Sequence, residues 1–443
     1  MNRREFIGLS ALAAAGLPLG AKAWEKTIPV LGPEDDEWAK AAWQNSYRPQ
    51  EFITVTPSVQ PVGDGQVAIW WKTQGPATGW ADVSQDGGQT WRRVWSETDG
   101  FRDANRCDHL ALVEDYDPTK PLKYRVTSRP IAECSMWGHY RYSGEKLPPK
   151  ALKGYYVNYK AYEELKKERR TKYAGDEFVE EGEVAAIPAG TLDIAMFNDV
   201  HHTIGHYPKL LDKLGASTLS LAVFAGDICD FSRSGPDYDK HMAAPMSYVS
   251  RRMKCLSRYV RGNHELMGLY SPFLRNHVAL QDGCLYGAVT IGDTRLLFLD
   301  TGNGAKPDPN SLCDMETYYR RENRWLEKEL ASSAWTGAKR RIAFAHIPPP
   351  CGPYNPGVLL MKYIYSPMEK ANVTLMMAGH EHVAKFHPAG GKCPYPCVIG
   401  GGPLAKSSGN ESPATVTLAS VRPDGLTVRQ VDIEGRELCS VRI

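Results

Sequence analysis

The sequence predicts two folded units in series, a small all-β sandwich over residues 50–130 and a larger layered α/β unit over residues 191–443. Three observations carry this. The chain has 443 residues, more than one ordinary core accommodates. From Phe52 to Arg129, short segments of alternating apolar and polar residues are punctuated by Gly, Pro and Asp. From Leu192 onward, apolar strand-like runs alternate with helical stretches. Composition agrees: 42% hydrophobic and 23% charged residues suit a globular chain, and 40 Gly with 31 Pro demand many turns.

The first 23 residues read separately. Arg3 and Arg4 precede an apolar run from Ile7 to Leu19, and Ala21-Lys22-Ala23 offers a small-residue cleavage site. The segment resembles a twin-arginine export signal, too short in its apolar run to span a bilayer comfortably. The expectation is a protein exported to the periplasm or the extracellular space. No later segment is apolar enough to cross a membrane, so stable membrane insertion is not expected. The three cations of this segment against Glu5 account for the whole formal net charge of +2. The remainder is nearly neutral, which gives nucleic-acid binding no electrostatic support.

The ten cysteines allow disulfides in an oxidising compartment, with Cys393 and Cys397 the nearest pair in sequence, and leave connectivity open. No Cys-x-x-Cys pair occurs, against zinc-ribbon and thioredoxin-like readings.

Front-unit strands are expected at residues 66–71, 79–84, 90–95, 109–113 and 122–127. The pattern resembles the fibronectin-type or purple-acid-phosphatase-type amino-terminal domain. Trp70, Trp71, Trp91 and Trp95 could form a carbohydrate-binding face, but alternating aromatics in a sandwich more often pack core and edges. Residues 131–190, rich in Tyr, Lys and Glu, read as a surface connector with a solvated helix from Ala161 to Arg170.

In the second unit, strands are expected at residues 192–197, 219–225, 257–260, 295–299, 341–345 and 373–377, and a helix from Cys313 to Ala331. Ligand-binding residues of such sheets collect at strand ends. There the chain places Asp199-Val200-His201, Gly226-Asp227-Ile228-Cys229-Asp230, Gly262-Asn263-His264-Glu265, His346 and Gly379-His380-Glu381-His382. Carboxylates and imidazoles suit hard or borderline divalent metals, and two ions about 3.5–4 Å apart need a carboxylate that can bridge them.

These five blocks, in this order, resemble the calcineurin-like metallophosphoesterases. The resemblance implies a four-layer sandwich, two central β-sheets flanked by helices, with strands from about Ala414 closing one sheet. It also implies two divalent ions, Mn, Fe or Zn. Asp227 would bridge them, with Asp199, His201 and His382 completing one site and Asn263, His346 and His380 the other. In the protein-phosphatase branch, the equivalent of Asp230 holds the equivalent of His264, and such a pair would keep His264 charged as the leaving-group acid. A bridging hydroxide would attack phosphorus in line.

Two departures narrow this. Purple acid phosphatases place Tyr where Asp230 stands, so their iron–tyrosinate site is not expected here. The protein-phosphatase branch follows its second Asp with a phosphate-clamping Arg, whereas this chain has Phe231.

Nearby residues read more modestly. His202 and His206 could line a pocket but more often such neighbours face away. Cys229 suits core packing. Asp300 and Asn303 suit a turn. Glu265 and Glu381 suit positioning of the ligands. The expected activity is hydrolysis of a small phosphorylated substrate, with a slight leaning to phosphomonoesters. A phosphodiesterase on the same metals is the alternative, and an extracellular binding or adhesion protein with a non-catalytic scaffold is a third reading.

Overall fold

The computed structural model describes residues 46–104, 106–134, 140–141, 172–304, 312–351 and 353–443. The export-signal segment and the helix expected from Ala161 to Arg170 lie outside the described residues.

The front unit is two antiparallel sheets. One runs Ile53–Gly63, Gln66–Thr73, Asp108–Val113, and the other contains Ala77–Ser84, Arg92–Trp95 and Leu122–Cys134. Alternation places Val67, Ile69 and Trp71 on the inner face opposite Ala81, Val83, Tyr124 and Val126. Trp70 and Trp71 are buried, Trp71 donates from Nε1 to Ser128 at 2.8 Å, and only Trp91 of the four tryptophans is largely exposed. The four therefore do not share one exposed face.

Several strands were not expected, among them Ile53–Gly63 and Gly287–Ile291. Phe178–Val184 pairs antiparallel with Leu122–Cys134 along its whole length, so part of the stretch read as connector belongs to the front sheet. Its sequence, FVEEGEV, carries three glutamates because it is a half-exposed strand, and charge masked its weak alternation.

The second unit holds two six-stranded sheets. The first runs Leu256–Val260, Leu221–Ala225, Leu192–Phe197, Thr415–Arg422, Gly425–Asp432, Glu437–Arg442. Its first three strands are parallel and the C-terminal strands close it antiparallel, as expected. The second runs Gly287–Ile291, Thr294–Phe298, Arg340–Phe344, Leu375–Ala378, Cys397–Ile399, Lys385–His387.

Strand period 2 explains the layering. Ile194, Met196, Val223, Leu296, Phe298, Ile342, Phe344 and Met377 meet in the core between the sheets. Their neighbours point outward. Ala195, Phe197 and Phe224 pack under His206–Leu214 and Ala244–Met253, while Leu297, Ala343 and Met376 pack under Met315–Ala331. Buried strands of this kind carry continuous apolar runs, which is why the sequence displayed them clearly. The result is the four-layer α/β/β/α sandwich.

The two units are joined by apolar packing, Val55 and Trp70 with Ile204 and Ala243 and Val62 with Ala279, and by polar contacts. Thr56 and Ser247 hydroxyls meet at 2.6 Å, Ala279 N–H donates to Gln60 Oε1 at 3.0 Å, and buried Arg258 donates from Nη1 to Pro61 O at 3.0 Å. Among the described residues no helix is long and apolar enough to cross a membrane. Cys393 pairs with Cys351, not with its sequence neighbour Cys397, which is free and buried in the outer helical core. Cys351 follows the Pro348–Pro350 run after His346, so the disulfide ties the loop beyond one site strand to the loop beyond the next.

Candidate metal centre

Every expected site residue sits just beyond a strand end. Leu192–Phe197 delivers Asp199 and His201, Leu221–Ala225 delivers Asp227 and Asp230, and Leu256–Val260 delivers Asn263 and His264. Arg340–Phe344 delivers His346 and Leu375–Ala378 delivers His380 and His382. The chain bends sharply at these points. Asp199, His201, Asp227, His380 and His382 all have positive φ, between 45° and 73°. Non-glycine residues hold this conformation only where surrounding contacts impose it. The two imidazoles of His380-Glu381-His382 are thus aimed by a bend and not by strand alternation.

Glycines let the backbones approach. A Cβ at Gly262 would lie 2.2 Å from Asp227 N, and one at Gly379 would lie 2.4 Å from Asp199 Oδ2. Glu265, fully buried, accepts from the amides of Gly262, Asp227, Ile228 and Cys229, and so fixes two of the blocks against each other. Burial, then the Asp227 charge, raise its carboxyl to about 7.

Each central carboxylate is divided in function. Asp199 Oδ2 accepts from His380 N at 2.8 Å and Asn198 Nδ2 at 2.6 Å, while buried Oδ1 finds no hydrogen-bond partner among the described residues. That free oxygen lies 3.3 Å from His382 Nε2 and 3.9 Å from Nε2 of both His201 and His346. Asp227 Oδ1 accepts from His264 N at 2.9 Å, and its Oδ2 faces His346 Nε2 at 3.2 Å, His264 Nε2 at 3.8 Å and His201 Nε2 at 3.9 Å.

The second nitrogens are anchored too. His346 Nδ1 lies 2.9 Å from Ala225 O, which fixes Nε2 toward the carboxylates. Asn263 Oδ1 lies 3.1 Å from His346 Nε2 and 2.9 Å from His380 Nδ1. Three groups of side chains could each hold an ion: Asp199, His201 and His382; His201, Asp227 and His264; and Asp227, His346 and His380. Asp227 and His201 each belong to two of them. A buried carboxylate oxygen without a partner, ringed by imidazole nitrogens, is a donor set that fits divalent cations.

Charge compensation reflects the same crowding. Burial opposes it, but His346 and then other imidazoles hold the Asp199 and Asp227 carboxyls below their usual range. Burial likewise opposes protonation of His346, yet Asp227 and Asp199 outweigh it and raise the imidazole to about 10. His380, which burial and then the neighbouring His346 push down to about 4, is neutral.

Asp230 has a wider role than expected. Its Oδ1 lies 2.7 Å from His201 Nδ1 in a well-formed hydrogen bond, and 2.7 Å from His264 Nδ1 in a contact off the line of the N–H. Burial works against charge on His264, but Asp230 and Asp227 together raise its pKa.

The remaining residues fall out as follows. His202 accepts the Asp230 amide at Nε2 (2.8 Å) and packs on His241, so it braces the loop and does not line a pocket. His206 is buried at the start of its helix. Cys229 is buried, and burial pushes its thiol well up, as suits packing. Glu381 is half-buried with a raised pKa, chiefly from burial. Asp300 does accept the turn amide of Gly302, but it also pairs with Arg261 at 2.8 Å and accepts the Tyr318 hydroxyl at 2.7 Å. Arg261, two residues before Asn263, was legible only as an Arg beside the motif. Asn198 and Tyr354, whose ring lies 5.6 Å from that of His380, carried no sequence signal of their own.

Residues 192–384 match the family model described as Calcineurin-like phosphoesterase. The segment that carries the Asp and His clusters is thus similar to calcineurin-like phosphoesterases, which supports a metallophosphoesterase. Among solved structures, a purple acid phosphatase isolated from yellow lupin seeds shares the fold at 12% identity and a TM-score of 0.54, covering 87% of this chain and 73% of that one. The structure of PhoD shares it at 11% identity and a TM-score of 0.53, covering 88% of each chain. Comparison with curated protein sequences gave no match.

Proposed function

We propose that the protein hydrolyses phosphoesters with two divalent metal ions, one held by Asp199, His201 and His382 and the other by Asn263, His346 and His380, with Asp227 shared. The observation that carries this is the pair of oriented carboxylates: Asp199 and Asp227 each commit one oxygen to backbone amides and turn the other to a ring of imidazole nitrogens. Bound there, the ions would supply Lewis acidity toward a phosphoryl group and a water acidic enough to act as nucleophile near neutral pH.

The protein's own residues do the rest. Asp230, lying against His264 Nδ1, leaves His264 Nε2–H directed to the cluster. As phosphorus gains a bond to the water-derived oxygen and loses its ester oxygen, the Nε2 proton passes to the departing alcohol, and His264 is reprotonated from solvent. Asp230 also orients His201, so one carboxylate serves a metal ligand and the acid together. No side chain is required as a covalent nucleophile. Asp at 230 supports a site without a tyrosinate ligand. Monoesters are the proposed preference, and residues 1–23 with the Cys351–Cys393 bridge support export to an oxidising compartment.

The test is turnover of 4-nitrophenyl phosphate and bis-4-nitrophenyl phosphate by protein loaded in turn with Mn²⁺, Fe²⁺ and Zn²⁺. Metal-dependent release from the monoester, abolished in the double variant Asp227→Ala, His264→Ala, is expected. Turnover equal in that double variant and the parent contradicts the reading, and exclusive diester turnover reverses the monoester preference.

A further inference from the structure

The position that carries a phosphate-clamping Arg in related phosphatases holds Phe231, and its surroundings are built. Phe231 has a φ of 46°, a conformation that a bulky residue adopts only under constraint. It is half-buried, and its ring stands edge-on to His264 with centroids 5.7 Å apart. The constraint comes from the segment after His264. A Cβ at Gly268 would lie 2.1 Å from Ser232 O, and Tyr270 N–H donates to the same oxygen at 3.1 Å. The two backbones therefore touch at Ser232 and Gly268. Phe231 precedes Ser232 and Met267 and Leu269 flank Gly268, so the three are chain neighbours of that contact.

Met267 and Leu269 are 46% and 86% exposed, high for apolar residues next to a polar cluster. Met267 closes the tight turn that His264 opens, its N–H donating to His264 O at 3.0 Å, and Leu269 follows two residues later. Exposed apolar side chains this close in sequence to a polar site are suited to contact with a ligand.

We propose that Phe231, Met267 and Leu269 form the seat for the alcohol half of the substrate, and that this alcohol is apolar, an alkyl or aryl group, in place of a sugar or other polyol. The inference rests on the phosphoesterase reading above. His264 gives its proton to the ester oxygen, so the carbon attached to that oxygen lies on the His264 side, against Phe231. A polyol there would lose hydrogen bonds to water without replacement, whereas an alkyl chain gains contact with each methylene.

The experiment uses straight-chain alkyl phosphates from methyl to octyl, below their micellar concentrations, with metal-loaded full-length protein. Beyond ethyl, chain length scarcely alters the acidity of the alcohol, so it reports contact and not leaving-group chemistry. The expected result is a rise in kcat/KM of about two- to fourfold per methylene, with glycerol phosphate falling below butyl phosphate. Calorimetry with the matching alkylphosphonates should give the same trend in affinity without turnover.

Leu269→Ser and Met267→Gln, at exposed positions, should each flatten both slopes, and Phe231→Ala should flatten them most. Slopes near zero in the parent, or slopes unchanged in all three variants, overturn the proposal even where monoesters are hydrolysed. If no monoester is hydrolysed, the monoester preference fails, and the phosphonate affinities alone decide the seat. Vesicles of phosphatidic acid run in parallel separate sources. Release from them as well as from octyl phosphate assigns a lipid, and release from octyl phosphate alone assigns a soluble ester, either of which upholds the apolar seat.

Discussion

Asp230 Oδ1 sits 2.7 Å from His264 Nδ1, and the same oxygen receives the Nδ1–H of His201 at 2.7 Å. One carboxylate thus controls both the proposed acid and a proposed metal ligand, and the two roles separate experimentally. His264→Ala should lower kcat about 10²- to 10⁴-fold while leaving metal content intact, read by steady-state kinetics with metal analysis on the same sample. Asp230→Asn should also weaken metal binding, by about 10- to 100-fold, read by competition with a chelator.

The pH profile follows from the sign of the His264 shift. Burial opposes it, but contact with Asp230 and the Asp227 charge raise its pKa. The protonated acid therefore persists to higher pH than an ordinary imidazole, and kcat should fall as pH rises through that raised value. Neutralising Asp230 removes one source of the shift, so the alkaline limb of Asp230→Asn should move to lower pH. A limb that stays in place would remove His264 from the proton-transfer role.

Close backbone approach gives a sharper structural test. Gly379→Ala puts a methyl 2.4 Å from Asp199 Oδ2, the oxygen that accepts from His380 N. Asp199 and His380 must separate, and the variant should lose metal while keeping its fold. Circular dichroism unchanged, with metal content reduced, is the expected pair of results.

The strand skeleton of the second unit and the seven candidate ligand residues were legible because buried strands are continuous apolar runs and each candidate follows one of them closely. The bend geometry was less so. Nothing in His380-Glu381-His382 distinguishes a strand from two residues at φ 73° and 55°, since the contacts that impose it come from Asp199, about 180 positions away. Phe178–Val184 was missed because three glutamates hide a half-exposed strand's alternation. Cys351–Cys393 could not be chosen over Cys393–Cys397, because the bridge joins loops brought together only by adjacent strands.

That bridge supplies a stability prediction. It closes a loop across 42 positions, and loop-closure entropy gives about 4 kcal/mol of stabilisation. Denaturant unfolding of the Cys351→Ala, Cys393→Ala double variant should show a loss of about that size. Because the bridged loops follow His346 and His382, the variant should also bind metal more weakly.

The front sandwich carries an acid-sensitive residue. His109 is fully buried, stacks on Trp71 at 5.2 Å and lies 3.1 Å from Thr73 Oγ1. Burial pushes its pKa down to about 4 from 6.5. The unfolded chain takes up this proton more readily, so the contribution is intact above pH 6.5 and is lost as pH falls from there through 4. The loss is at most about 3 kcal/mol, at 1.36 kcal/mol per pKa unit. Thermal unfolding between pH 7 and 4 should show it, and His109→Gln should flatten that dependence.

The most direct measurement is the metal stoichiometry of protein purified without chelator, by inductively coupled plasma mass spectrometry, for the parent and for Asp227→Ala. Two ions per chain in the parent, falling to one or none in the variant together with phosphoesterase activity, is the predicted result. Activity that persists in a parent stripped of metal would contradict the account.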